Sequence, residues 1–249
     1  MTRLDKIAAL SDIHGNIWAL DAVLQDIENR NIKNVVNLGD SLYGPLAPLA
    51  TARRLIELGI LSVLGNEDKI ISSPPRGTLA SPTLEYVIRN LPIHVLDWLR
   101  GLPATFIVEG ELFLCHGTPQ SDRTYLLEEV SPHGVSLRTS ERILEELADI
   151  EQPVVLCGHS HVERIVYLPN GQLVINAGSV GLPAYEDDLP FPHKMETGAP
   201  HARYVILSKG SGNWTIECVA VPYDWKNAVA AAQENGRPDW AKWLASGRA

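Results

Sequence analysis

Short apolar runs that end on polar residues, each followed by a helical period, organise the first part of the chain. Ile7 to Leu10 leads into Ser11-Asp12-Ile13-His14-Gly15-Asn16, after which Leu20, Val23, Leu24 and Ile27 recur at helical spacing. Asn34 to Leu38 leads into a Gly39-Asp40 segment, and a helix is predicted from about Pro48 to Leu58. Ile60 to Leu64 then leads into Gly65-Asn66-Glu67-Asp68. Three consecutive units of this kind predict βαβ connections in a sheet covered by helices.

The later pattern is less regular. Ser81 followed by Pro82 reads as a helix cap and first turn, with Leu84, Val87, Ile88 and Leu91 on the apolar face. A second short helix is expected from Ile93 to Leu99, so that residues 70–100 make either a cap or rim around a pocket or a plain packed helical pair. Strands are predicted at Thr105 to Val108 and Leu112 to Cys115, and at Val154 to Cys157 after a helix around Ser140 to Ala148. Two further hairpins turn around Asn170-Gly171 and around Lys209 to Asn213. The antiparallel pairing of this half favours two packed sheets with outer helices over one doubly wound sheet. A terminal helix is expected at 225–245, where Trp225, Trp240 and Trp243 dock it or meet a second copy, and the whole of 1–249 reads as one domain.

Composition narrows the function classes. The 249 residues are 45% hydrophobic, enough to bury a substantial core. The formal charge of -9 comes without a basic block, which argues against a duplex nucleic-acid footprint. No apolar run approaches the length of a membrane span, so a cytoplasmic chain is expected. Cys115, Cys157 and Cys218 form no close pair and are expected as buried reduced thiols.

The chemistry lies at the ends of the apolar runs. Asp12 and His14, Asp40, Asn66, His116, and His159 and His161 all follow strand candidates and are bracketed by glycine or small residues. Taken singly, each is ordinary loop chemistry, since Asp or Asn beside glycine usually marks a turn. As a set of oxygen and imidazole donors they suit divalent ions such as manganese, iron, cobalt, nickel or zinc. If Asp12-Ile13-His14 and His159-Ser160-His161 stay extended past their strands, the outer residues of each triplet face one side. One ion needs fewer protein ligands than the set provides, so two are expected, bridged by a carboxylate at about 3.5 to 4 Å, a geometry that hydrolyses phosphate esters. His94, His133, His193 and His201 lack this context and read as surface or ordinary structural residues.

The series Asp12-x-His14, Gly39-Asp40, Gly65-Asn66, His116 and Gly158-His159-x-His161, followed by Asn176 to Gly181, resembles the calcineurin-like metallophosphoesterase superfamily. Within it, the chain looks like the small prokaryotic phosphodiesterase and diadenosine-tetraphosphatase-like branch. The resemblance implies an α/β fold, a four-layer αββα sandwich of two mixed sheets with outer helices. It also implies that Asp12, His14, Asp40 and His161 hold one ion, and that Asp40, Asn66, His116 and His159 hold the other, with Asp40 as the bridge. A hydroxide between the ions would then attack a phosphoester, with a phosphodiester or nucleotide-type substrate of good leaving group expected. The alternatives within the chemistry are a phosphomonoester or a dinucleoside polyphosphate; outside it, a catalytically weak metal-binding interaction protein. A homodimer is a further expectation from the resemblance.

One position departs from the pattern. Many relatives carry a histidine, assigned to the leaving group, where this chain has Glu67, often with the next carboxylate, here Asp68, orienting it. Glu67 is read as a general acid of raised pKa, as a buttress to His14 or another ligand, or as a loop carboxylate, with the last two favoured. Weaker candidates for substrate contact are Arg76 in the proline-rich loop, Tyr43 after the Asp40 loop, and Tyr185.

Overall fold

The computed structural model describes residues 5–74, 81–210 and 212–249. The chain opens with β1 (Lys6–Leu10), α1 (Ile17–Asn29), β2 (Asn34–Asn37), α2 (Pro48–Glu57) and β3 (Leu61–Ser62). Three helices follow, α3 (Asn66–Ser72), α4 (Pro82–Asn90) and α5 (Ile93–Arg100), then β4 (Thr105–Val108) and β5 (Leu112–Cys115). A hairpin of β6 (Glu128–Ser131) and β7 (Gly134–Leu137) precedes α6 (Ser140–Glu146), β8 (Val154–Cys157), β9 (Arg164–Tyr167) and β10 (Leu173–Asn176). The last part holds β11 (Ala184–Asp187), β12 (His193–Glu196), β13 (Ala202–Lys209), β14 (Trp214–Val221), α7 (Trp225–Glu234) and α8 (Pro238–Ser246).

Two five-stranded mixed sheets result, in the orders β14-β13-β1-β2-β3 and β4-β5-β8-β10-β9. Each keeps its parallel strands together: β1, β2 and β3 in the first, β5, β8 and β10 in the second. Strand periodicity then sorts the side chains by layer. Ile7 and Ala9 point inward to meet Leu112, Leu114, Val154 and Leu156 of the other sheet. Ala8 and Leu10 point outward beneath Leu20, Val23 and Ile27 of α1. On the far side, Phe113 and Cys115 pack under Ile143 and Leu147. The order helix, sheet, sheet, helix is the four-layer sandwich that the resemblance implied.

Differences from the expected elements have local causes. β3 pairs over only two residues, as the Leu64 amide leaves the sheet for the Pro103 carbonyl at 2.8 Å and Gly65 then bounds α3. The expected single terminal helix is a pair, broken at Asn235-Gly236, where Gly236 takes φ 71° and Pro238 starts α8. The two helices expected within residues 70–100 are present as α4 and α5, and the unexpected α3 precedes them; all three pack on Leu42 and Ala52 through Ile71, Leu84, Val87, Val95 and Leu99. Ser81 caps α4 through its hydroxyl, which accepts from the Leu84 amide. Of the three thiols, Cys115 and Cys157 are buried as expected, whereas Cys218 is exposed on the edge strand β14. Among the described residues no helix is long and apolar enough to cross a membrane.

The inter-sheet layer holds the two halves together, so its truncation should cost far more than an equal truncation outside. Leu156→Ala is expected to lower stability by about 3 kcal/mol, through lost burial and the cavity left behind. Leu58→Ala, at the exposed end of α2, is expected to change it by less than about 0.5 kcal/mol. Urea unfolding of both variants tests this, and equal effects would show that the layer is not the main source of stability.

Candidate metal centre

The parallel strands of both sheets run toward one edge, and their carboxyl ends deliver the polar loops there. β1 supplies Asp12 and His14, β2 supplies Asp40, and the start of α3 supplies Asn66. The second sheet supplies His116 after β5, and His159 and His161 after β8. The loops do not continue as extended chain. Asp12, His14, Asp40, His159 and His161 have φ of 54°, 51°, 51°, 69° and 63°, five of the seven positive-φ non-glycine residues among those described. Such backbone costs on the order of 1–3 kcal/mol per residue and persists only where its surroundings enforce it. The facing of Asp12 with His14, and of His159 with His161, therefore comes from left-handed turns rather than strand alternation.

Close approach demands the glycines. A Cβ at Gly65 would lie 2.1 Å from Asp40 Oδ1, and one at Gly158 would lie 1.9 Å from Ser11 Oγ. Gly65 itself has ordinary extended backbone with φ -85°, so its need is space rather than turning. That space lets the Glu67 amide donate to Asp40 Oδ1 at 2.9 Å. The His159 amide likewise donates to Asp12 Oδ2 at 3.0 Å. Asp68 sits fully buried beneath the same loop and accepts from the Ser41 and Leu42 amides at 2.8 and 3.0 Å.

Three imidazoles are oriented by neighbouring backbone. His14, His116 and His161 each donate Nδ1–H to a carbonyl, of Tyr43 at 2.8 Å, Leu38 at 2.8 Å and Leu182 at 2.7 Å. The Nε2 atoms are thereby turned into the site. His14 Nε2 and His161 Nε2 come within 3.0 Å of each other, and His161 Nε2 lies 3.3 Å from Asp12 Oδ1. His116 Nε2 lies 3.1 Å from Asp40 Oδ2 and 3.0 Å from Asn66 Oδ1. Donor atoms of Asp12, His14 and His161 converge within 4.8 Å, as do those of Asp40, His116 and His159, and those of His14, Asp40 and Glu67. Asp12 Oδ1 is buried without a hydrogen-bond partner. Converging nitrogen lone pairs and an orphaned carboxylate oxygen fit bound divalent cations.

The same crowding displaces the titrations. Burial works against charge on His14 and His116, yet the Glu67 bond to His14 and the Asp40 charge beside His116 overcome it, raising them to about 9 and about 10. His159 is pushed down to about 4 by burial and by His116. Burial opposes ionisation of Asp12 and Asp40, but the adjacent histidines hold both below the usual carboxylate range. Loss of solvation raises Glu67 to about 7, partly countered by His14, whose Nδ1 lies 3.2 Å from Glu67 Oε2.

A pocket of about 220 Å³ opens over these groups. It is lined by His14, Asp40, Asn66, Glu67, His159 and His161, and by both tyrosines singled out from sequence, Tyr43 and Tyr185. Asp68 is not on its wall, and Arg76 lies outside the described residues. Sequence reasoning missed Tyr125, Arg237, Trp240 and Trp243, which come from distant segments and carry no local metal-type signature. Tyr125 joins the Tyr185 hydroxyl at 2.6 Å and the His193 ring at 3.0 Å, and its ring packs on His159 at 4.7 Å between centroids. His193 is accordingly a buried structural histidine.

Comparison with known proteins agrees with this architecture. Residues 6–191 match the calcineurin-like phosphoesterase superfamily domain. The chain is 29% identical to uncharacterized protein MJ0912 of Methanocaldococcus jannaschii, over 94% of each chain. In fold it is similar to a metallophosphoesterase from Sphaerobacter thermophilus, with a TM-score of 0.76 at 22% identity over 97% of this chain and 99% of that one. It is also similar to hypothetical protein PH1004 from Pyrococcus horikoshii, with a TM-score of 0.74 at 18% identity over 97% and 98%. The chain belongs to the calcineurin-like phosphoesterase superfamily and is a metallophosphoesterase, a hydrolase of phosphoesters.

Proposed function

We propose that this site hydrolyses a phosphodiester bearing a nucleoside or aryl group, with a good leaving group. The carrying observation is the pair of donor clusters that meet at Asp40, which is shared between the His116 side and the His14 side. Asp12, His14, Asp40 and His161 would hold one divalent transition-metal ion, and Asp40, Asn66, His116 and His159 the other. Bound ions would supply a nucleophile from water at neutral pH and neutralise phosphate charge. The chain's own groups set the frame: backbone carbonyls aim the imidazoles, and Asn66 adds a neutral oxygen that keeps the ligand charge low.

The pocket wall supports a singly charged substrate. Among the described lining residues Arg237 is the one permanent cation, and Asp239 already pairs with it. Glu67, Glu186 and Asp187 line the same space. A dianionic monoester or a dinucleoside tetraphosphate would bring further negative charge against these carboxylates, whereas a diester brings one. Glu67 is a poor replacement for a leaving-group acid, because it is turned onto His14. It is a positioning residue for that imidazole, and the leaving group must depart largely unaided.

Three outcomes are expected. With manganese, nickel, cobalt or zinc added, an aryl phosphodiester should exceed the matching monoester in kcat/KM by at least about tenfold, about 1.4 kcal/mol in the barrier. A cyclic nucleotide and a dinucleoside tetraphosphate complete the panel, and faster cleavage of the monoester or tetraphosphate would refute the diester reading. Absence of turnover on the whole panel with metal bound would refute the hydrolytic one.

Glu67→Gln should weaken metal binding roughly tenfold, because a neutral amide replaces the carboxylate charge beside the His14 ring, while leaving the basic limb of the pH–rate profile in place. A general acid is active only when protonated, so disappearance of that limb in the variant would make Glu67 the acid instead.

His14 and His116 stand near 9 and 10, above their unfolded values, so their protonated forms stabilise the protein below pH 6.5 and that contribution fades as pH rises through 9 to 10. Ligation needs the unprotonated rings. Metal affinity should therefore climb with pH, and loading near neutral pH should release about two protons per chain. Calorimetry in buffers of different ionisation enthalpy measures this release, and a value near zero would contradict the protonation state assigned to the two rings.

A further inference from the structure

The wall of the pocket opposite the second sheet is not built by the strand loops. It comes from α8, through Arg237 at its N-terminal boundary and Trp240 and Trp243 one and two turns along. This segment lies beyond residues 6–191, the span matched by the family. It is nevertheless fixed to the site. Leu46 and Leu182, from loops beside Asp40 and His161, pack with Ala228, Ala232, Trp240, Trp243 and Leu244. The Asn235 side-chain amide donates to the Pro45 carbonyl at 2.9 Å.

Trp240 and Trp243 are 4% and 8% exposed and offer the pocket only their edges, while the Arg237 side chain is more open. The Trp240 ring meets the His14 ring edge-on at 5.8 Å and stands 6.2 Å from Trp243. The Arg237 guanidinium lies 5.6 Å over the Trp240 ring. Asp239 grips it from one side and the Thr83 hydroxyl accepts from the other, so a flat group is held in a fixed plane at the pocket wall. Tyr43, anchored to Ser81 at 2.9 Å, and Tyr185, whose ring stands 4.5 Å from that of His161, add two more rings to the lining. With its charge already balanced by Asp239, Arg237 offers a stacking face more than a phosphate clamp.

We propose that the α7–α8 hairpin, through Arg237, Trp240 and Trp243, is the specificity element of this enzyme, and that it receives the flat ring of a nucleoside on the phosphodiester. This rests on the phosphodiesterase reading of the metal centre. A nucleoside is uncharged and planar at its base, which suits a guanidinium face bordered by aromatic edges, beside carboxylates that would repel additional phosphate.

The test compares thymidine 5′-(4-nitrophenyl) phosphate with methyl 4-nitrophenyl phosphate, two diesters that release the same leaving group, on the manganese-loaded protein. The thymidine ester is expected to have a kcat/KM about tenfold or more higher, mainly through KM. Trp243→Leu and Arg237→Gln should each reduce that ratio several-fold. Trp243→Phe, which keeps a ring, should retain most of it. Binding supplies the second readout: thymidine 5′-monophosphate should bind at least about tenfold more tightly than inorganic phosphate by calorimetry, and Trp243→Leu should remove most of the difference. An unchanged ratio in folded Trp243→Leu and Arg237→Gln, or equal affinity for the nucleotide and phosphate, would overturn the proposal. If neither ester is cleaved but the nucleotide still binds through Trp243, the subsite stands and the hydrolytic reading falls.

Discussion

The structure depends on one arrangement: imidazoles whose Nδ1–H groups are tied to backbone carbonyls of other loops, leaving Nε2 to converge on buried carboxylates. His14 is held by Tyr43 from the loop after β2, and His116 of the second sheet by Leu38 of the first. His161 is held by Leu182, beyond β10. Each loop thus orients a side chain that belongs to another. None of these bonds is local in sequence, so the centre forms only when both sheets are packed in register. The apolar inter-sheet layer, with Leu114, Leu156 and Val205 fully buried, does that packing, and the ligand geometry inherits its rigidity.

The arrangement is costly, and the cost indicates where function lies. Left-handed backbone at Asp12, His14, Asp40, His159 and His161 is unfavourable at each position, and like groups crowd one another out of water. A fold selected for stability alone would not concentrate five such residues at one edge. The surroundings compensate through backbone amides: Glu67 N–H on Asp40, His159 N–H on Asp12, and Ser41 and Leu42 N–H on Asp68. Asp68 is therefore a pillar under the Asp40 loop, a role its place in the sequence beside Glu67 does not disclose.

Much of the fold was legible because strand and helix periods repeat cleanly in the parallel part of the chain. The sandwich, the hairpin at Asn170-Gly171, and the cap at Ser81 all carry local signals that the structure honours. The convergence of polar loops was legible for the same reason: each candidate ends a strand, and parallel strands put such ends on one edge. What escaped was set by tertiary contact. Trp240 and Trp243 read as docking aromatics, and they do dock α8, but burial of one side of an aromatic says nothing of what its other edge faces. Tyr125 sits in an irregular loop with no period to place it. The left-handed turns at Asp12 and His14 were hidden as well, because alternation in an extended chain and a turn at each donor bring the same two side chains to one side.

The segment Val63-Leu64-Gly65-Asn66-Glu67-Asp68-Lys69 concentrates the consequences. Its residues divide among tasks: Gly65 yields space to Asp40, Asn66 turns its oxygen toward His116, and Glu67 reaches His14 with its side chain while its amide holds Asp40. A histidine at position 67 would have added a proton donor for a departing alkoxide. On the function proposed above, a glutamate there instead adds negative charge beside the phosphate and strengthens the His14 side of the centre. Such an exchange favours metal retention over help to the leaving group, and it is tolerable only when the substrate brings little charge and an alcohol acidic enough to depart unprotonated. On that proposal, the same carboxylate that tightens the centre narrows the chemistry it can perform.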